Sequence, residues 1–177
     1  MTHTHLLAQL EVYFEKHPSE KQNVEEIKHF VQHHPDCLLP SYKPGHITGS
    51  AWILNSQKNK AILTHHRKLN TWIQLGGHAD GEAVILSVAH REATEESGLQ
   101  SVRPLSKEIF DIDIHTIPEN KSMPEHLHYD IRFLFEADEH EPISVSDESF
   151  DVAWFPLHQI QEINSAESIF RMVRKCR

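Results

Sequence analysis

Cysteine is nearly absent: Cys37 and Cys176 are the two in 177 residues, far apart and without paired spacing. That excludes a disulfide framework and argues against a thiolate zinc site. Positive charge is also short, with 17 Lys and Arg against 26 Asp and Glu and a formal net charge of −9. A surface of that sign repels polyphosphate chains, so no nucleic acid polymer is expected as a partner. No apolar run approaches bilayer length, and Met1 to Leu7 lacks the basic and apolar regions of a signal peptide. The expected setting is therefore cytoplasmic and reducing, away from membranes. Internal repeats and low-complexity segments are missing too. What remains, 38% hydrophobic and 24% charged, suffices for a folded core. One residue type is in excess: there are 16 histidines. Imidazole titrates near neutrality and ligates metals, so their positions matter more than their number.

Residues 1–44 read as a helical extension and 45–177 as one domain. Leu6, Leu7, Leu10 and Phe14 follow a helical period that His17-Pro18 ends. Ser19 is placed to cap a second helix with Val24, Ile27, Phe30 and Val31 as its apolar stripe. Such stripes are too apolar for a free tail and should dock on the domain or across a homodimer interface. Pro35, Pro40 and Pro44 mark a connector. Beyond His46 the pattern turns β-like, at 51–54, 61–64, 72–75, 109–115, 126–135 and 152–155. A helix is expected over 83–97 with Gly98 as its left-handed stop, and another from Ser165 with Ile169, Met172, Val173 and Cys176 inward. Mixed strands with helices outside give an α/β or α+β sandwich.

The chemistry concentrates in the 83–97 helix. At roughly 100° per residue, Glu92, Glu95 and Glu96 fall within about a third of its circumference. Three carboxylates so close repel one another unless a cation sits among them, and hard cations such as Mg2+ or Mn2+ prefer oxygen ligands. Arg91, four residues before Glu95, is positioned to pair with it and fix its orientation. Leu86, Ala89 and Ala93 form a separate stripe for packing on a sheet. A solvated acidic face is the plainer reading of the glutamates, but it leaves the Gly76-Gly77 strand exit and the Gly98 stop unexplained.

Arg91-Glu92-Ala93-Thr94-Glu95-Glu96-Ser97-Gly98-Leu99 resembles the second half of the Nudix box, Arg-Glu-U-x-Glu-Glu-x-Gly-U with U aliphatic, at all seven defined positions. The resemblance covers about residues 46–160. It implies an α/β/α sandwich with a mixed sheet, and a metal-dependent hydrolase that cleaves a phosphoanhydride bond in a small nucleotide-like diphosphate. It further implies that Glu92, Glu95 and Glu96 hold Mg2+ or Mn2+. The family's first box Glu would fall at Ala83, whereas Glu82 stands one residue early. Gly-Gly-His-Ala-Asp-Gly-Glu over 76–82 is similar to a bacterial subgroup with this shifted loop. The proton acceptor varies across the family, and Glu148, in the loop before the last strand, is a candidate.

If 109–115 and 126–135 pair as a hairpin, Asp111, Asp113 and His115 share a face with His126, His128 and Asp130. That face is either an ordinary polar surface or a second site. As a second site it would either hold a transition metal on His115, His126 and His128 or bind phosphate, with Arg132 as the phosphate partner. His65, His66 and His78 flank the Gly-Gly loop. Trp52, Trp72 and Tyr129 are candidates for stacking on a base or for the core.

Two other functions share such a fold. A non-catalytic nucleotide-sensing module usually loses the box glutamates, which are intact here. An isopentenyl diphosphate isomerase-like enzyme would have a metal-binding histidine near His78, but neither Cys37 nor Cys176 adjoins the box. The substrate within the diphosphate class has no signature in the sequence.

Overall fold

The computed structural model describes residues 3–119 and 123–176. Among them eight strands form one mixed sheet: β1 (Gly45–Asn55), β2 (Lys60–His66), β3 (Thr71–Ile73), β4 (Leu75–His78), β5 (Arg103–Pro104), β6 (Asp111–Ile117), β7 (His126–Ala137) and β8 (Ser149–Pro156). β1 and β7 run parallel at its centre, in register from Gly45 opposite Leu127 to Asn55 opposite Ala137. All other pairings are antiparallel, with β2 and β4 beside β1, β3 and β8 beside β2, and β5 and β6 beside β7.

β1 is buried along its whole length because both sheet faces are covered. Ile47, Ala51 and Ile53 enter one apolar cluster, while Trp52 and Leu54 enter the other. Among the described residues five α-helices supply the covers: α1 (Thr4–Lys16), α2 (Lys21–His33), α3 (Ile85–Ser97), α4 (Ile160–Ile163) and α5 (Glu167–Lys175). α1, α2 and α3 contribute to the first cluster. α4 and α5 close the second with Ile160, Ile169, Met172 and Val173. The architecture is an α+β sandwich on a mixed sheet. Among the described residues no helix is long and apolar enough to cross a membrane.

α3 lies close on β1 because residue 49 is glycine. A Cβ there would stand 3.0 Å from Val88 Cβ and from the Ile85 carbonyl oxygen. The helix ends at Gly98, whose φ of +73° is the left-handed conformation that glycine adopts without strain. Its N–H donates to the Thr94 carbonyl at 2.8 Å.

The amino-terminal helices dock on the domain of their own chain. Leu6, Leu10, Tyr13, Val24, Ile27, Phe30 and Val31 are buried in the same cluster as Ile47 and Ile131. Phe30 stacks on Tyr129 with ring centroids 4.0 Å apart. Tyr13, not Phe14, carries the deep contact in α1. Ser19 does not cap α2. A 3-10 turn over Pro18–Glu20 occupies that place, and Glu20 accepts from the Tyr13 hydroxyl at 2.6 Å.

Two further expectations change. The strand expected at 72–75 is two strands. The chain leaves β2 for β1 at Gln74, whose buried amide donates to Asp130 Oδ2 at 3.1 Å. The hairpin itself forms, with His115 opposite His128 and Asp113 opposite Asp130. Much of its polar face is interior rather than solvent-facing. Asp111, Asp130 and Arg132 are 0%, 1% and 2% exposed. Arg132 is held by Asp130 at 2.7 Å and by Asp111 at 3.0 Å, so it is no phosphate partner. Arg171 and Lys175 of α5 reach down to Asp111, each at 2.7 Å. These carboxylates are countered by cations from the chain itself.

Candidate active site

β4 and α3 build the acidic site between them. β4 carries Gly76 and Gly77, and the missing side chains make room for glutamates from the helix. The Gly76 N–H donates to Glu96 Oε2 at 2.8 Å. A Cβ on Gly77 would stand 2.5 Å from Glu92 Cδ and 2.9 Å from Oε1, so Glu92 lies flat against the strand. Glu96 is buried at 6% exposure, Glu92 is half-buried and Glu95 is exposed.

The electrostatics of the three differ accordingly. Burial pushes the Glu96 carboxyl up to about 8, the Gly76 N–H opposes this, and the charges of Glu92 and Glu148 add to it. Burial also raises Glu92, against the pull of Arg91. Arg91 does not pair with Glu95. Its Nη2 donates to Glu92 Oε1 at 2.6 Å and to the His78 carbonyl at 2.8 Å, with Asp80 at 3.5 Å. The guanidinium ties Glu92 to the end of β4, where the chain turns toward the helix.

Glu148 is exposed just before β8, and its carbonyl accepts from the Arg67 N–H at 3.0 Å. Its charge acts on Glu96 and on His66, so loop and helix face the same site. Glu82 makes a local bond next to the start of the helix. It accepts from the Val84 N–H at 2.8 Å, serving the start of α3. That local bond suits its position one residue ahead of the family pattern.

The histidines divide. His115 Nδ1 is engaged by Asp113 Oδ2 at 3.2 Å, and His126 Nδ1 by the Pro124 carbonyl at 2.8 Å. The His128 ring lies 5.5 Å from that of His115 and 5.2 Å from that of His126, centroid to centroid. Among the described residues, His46, His78 and His128 bring one ligand nitrogen each within 4.8 Å of the others. Burial lowers His46 to about 4 and His128 to about 2, with neighbouring imidazoles adding to both, so these two rings are neutral. His46 is the residue that sequence reasoning missed. Its signal was weak, a single histidine after Gly45, and its partners lie on β4 and β7. His65 stacks on Trp72 at 5.1 Å, Trp52 is fully buried, and Tyr129 lies under Phe30.

Solved structures share this fold. An Ap4A hydrolase from C. elegans, in a binary complex, is 17% identical and aligns over 73% of this chain and 93% of its own, with a TM-score of 0.55. A Nudix-family hydrolase from Clostridium perfringens is 21% identical over 74% and 95%, with a TM-score of 0.56. A MutT protein from Methanosarcina mazei Go1 is 18% identical over 76% and 94%, with a TM-score of 0.58. No curated protein matches the chain. At these identities the likeness is one of fold. The family model described as NUDIX domain goes further, matching residues 45–176 and so taking in the glutamate helix, the glycine exit and the sheet around them. The chain belongs to the Nudix family of pyrophosphohydrolases.

Proposed function

We propose that this protein hydrolyses a phosphoanhydride bond in a small nucleotide-like diphosphate, with Mg2+ or Mn2+ held by Glu92, Glu95 and Glu96. The observation that carries the reading is Glu96. It is a buried carboxyl with Glu92 and Glu148 as electrostatic neighbours, seated on a backbone N–H. Such a group loses its proton readily only when positive charge arrives, and an all-oxygen donor set suits a hard divalent cation. A cation bound there would neutralise charge on the diphosphate and lower the pKa of a bound water.

The chain's own groups have separate tasks. Arg91 positions Glu92, and the Gly76 N–H positions Glu96. Glu95, exposed on the same helix, offers its oxygens from the solvent side. Glu148, across the site on a loop, is the proposed acceptor of the proton released by the attacking water. The fold supports residues 1–44 as a docked helical extension and 45–177 as the hydrolase domain.

The test is chromatographic and NMR product analysis of a panel of nucleoside triphosphates, dinucleoside polyphosphates, nucleotide sugars and isopentenyl diphosphate, with and without Mg2+ or Mn2+. Cation-dependent hydrolysis of one class, reduced by orders of magnitude in Glu96→Gln without loss of fold, is the expected result. Isomerisation of isopentenyl diphosphate, tight nucleotide binding without turnover, or a fully active Glu96→Gln would overturn the reading.

A further inference from the structure

Three strands meet in one imidazole cluster. His46 is the second residue of β1 and His128 lies beside it in parallel register on β7, with ring centroids 4.6 Å apart. His78 ends β4, with centroids 4.9 Å from His46 and 5.3 Å from His128. The candidate ligand nitrogens all fall within 4.8 Å of one another. Tetrahedral Zn–N bonds of about 2.0–2.1 Å place ligand nitrogens about 3.3 Å apart, a contraction that small side-chain rotations supply.

A second, independent observation concerns His46 alone. It is 1% exposed, and neither ring nitrogen has a hydrogen-bond partner. The Tyr42 backbone favours the charged ring against the burial, but it does not meet hydrogen-bond geometry with either nitrogen. A buried imidazole with both nitrogens unpaired costs free energy that a polar partner would recover. His115 and His126 differ in this respect, because each has one nitrogen already engaged. No carboxylate belongs to the three-residue group.

We propose that His46, His78 and His128 form a second metal site, separate from the glutamate site, that takes a borderline transition cation such as Zn2+. Three nitrogen ligands disfavour Mg2+ and suit Zn2+, Co2+ or Ni2+. Three protein ligands also leave one tetrahedral position for water or an anionic oxygen, and His78 is exposed, so the site opens to solvent. The strand carrying His78 also carries Gly76 and Gly77, against which Glu96 and Glu92 are seated. The two sites are thus neighbours along β4, and the Arg91 bond to the His78 carbonyl links them.

Binding is tested without substrate, so the result stands apart from the hydrolase reading. Untagged protein is stripped with a chelator and titrated with Co2+, whose visible bands report tetrahedral coordination. Zn2+ affinity is measured by competition. Wild type should take one equivalent with tetrahedral bands, and the Glu92→Gln/Glu96→Gln double variant should keep them. His78→Ala removes an exposed side chain, and its fold is checked by circular dichroism. It should lose affinity by more than the ~10–100-fold typical of losing a partner outside the coordination shell. Absence of tetrahedral Co2+ in wild type, wild-type affinity in folded His78→Ala, or loss of the bands in the glutamate double variant would overturn the proposal.

Discussion

Glu92 occupies the space that a side chain on Gly77 would need: a Cβ there would fall 2.5 Å from Glu92 Cδ. The displaced group is the mobile end of a glutamate, so Gly77→Ala should fold, with stability within about 1 kcal/mol of wild type. Turnover should fall by about 100-fold, because Glu92 must leave its place. Gly76→Ala should behave in the opposite way. Its Cβ would meet Ser50 Cα at 2.7 Å and the Gly49 carbonyl oxygen at 2.8 Å, both backbone atoms. It should lose about 1–3 kcal/mol or more of stability, as overpacking does. Thermal melts and initial rates on the two variants separate these outcomes.

Cation binding should strengthen with pH. Glu96 titrates near 8 in the folded protein against an ordinary 4.5, and its proton must leave before it can ligate. Mg2+ or Mn2+ affinity should therefore rise by up to about tenfold per pH unit below 8 and then level off. The stability sign follows from the same shift. A carboxyl raised in the folded state contributes stability fully present below 4.5 and lost as pH rises through about 8. The melting temperature of metal-free protein should drop over that window, and added Mg2+ should reverse the drop. A pH-independent effect of Mg2+ on melting would count against Glu96 as a ligand.

Asp111→Ala should cost about 3–5 kcal/mol, since it strips Arg132, Arg171 and Lys175 of a shared, fully buried carboxylate. Denaturant unfolding measures this. The neighbouring Asp113 adds an acid limit. Burial would raise it, but its hydrogen bond with His115 and the charge of Arg132 hold it at about 2. Its stabilisation is present above 3.8 and disappears as pH falls toward about 2.

Phe30→Ala should lose about 3–5 kcal/mol, because Phe30 is 4% exposed and stacked on Tyr129. Deleting residues 1–44 should do more, uncovering Tyr129 and Ile47 to solvent and lowering solubility. An equally stable truncated domain would show that the helices are merely accessory.

The helix glutamates were legible because their relation is local. Helical period alone puts Glu92, Glu95 and Glu96 together, and Gly98 ends the helix by a conformation that belongs to one residue. The sorting of the hairpin's two faces was legible too, since alternation over 109–115 and 126–135 puts Ile112, Tyr129 and Ile131 on one side. The register was not, because a two-residue slip keeps the same faces. The environment of the hairpin's other face was not. Whether Asp111 meets water or Arg171 depends on where α5 lies, some 60 residues on. A strict polar alternation reads the same in either case. Arg91 likewise had Glu95 at helical spacing, yet it turns to Glu92 and the His78 carbonyl because β4 passes on that side. His46 joins His78 and His128 only through the parallel β1–β7 pairing and the switch of the chain from β2 to β1 at Gln74. Residues near in sequence are grouped by the geometry of a single element. Residues far apart are grouped by which elements pack, and that choice rests on the whole buried surface.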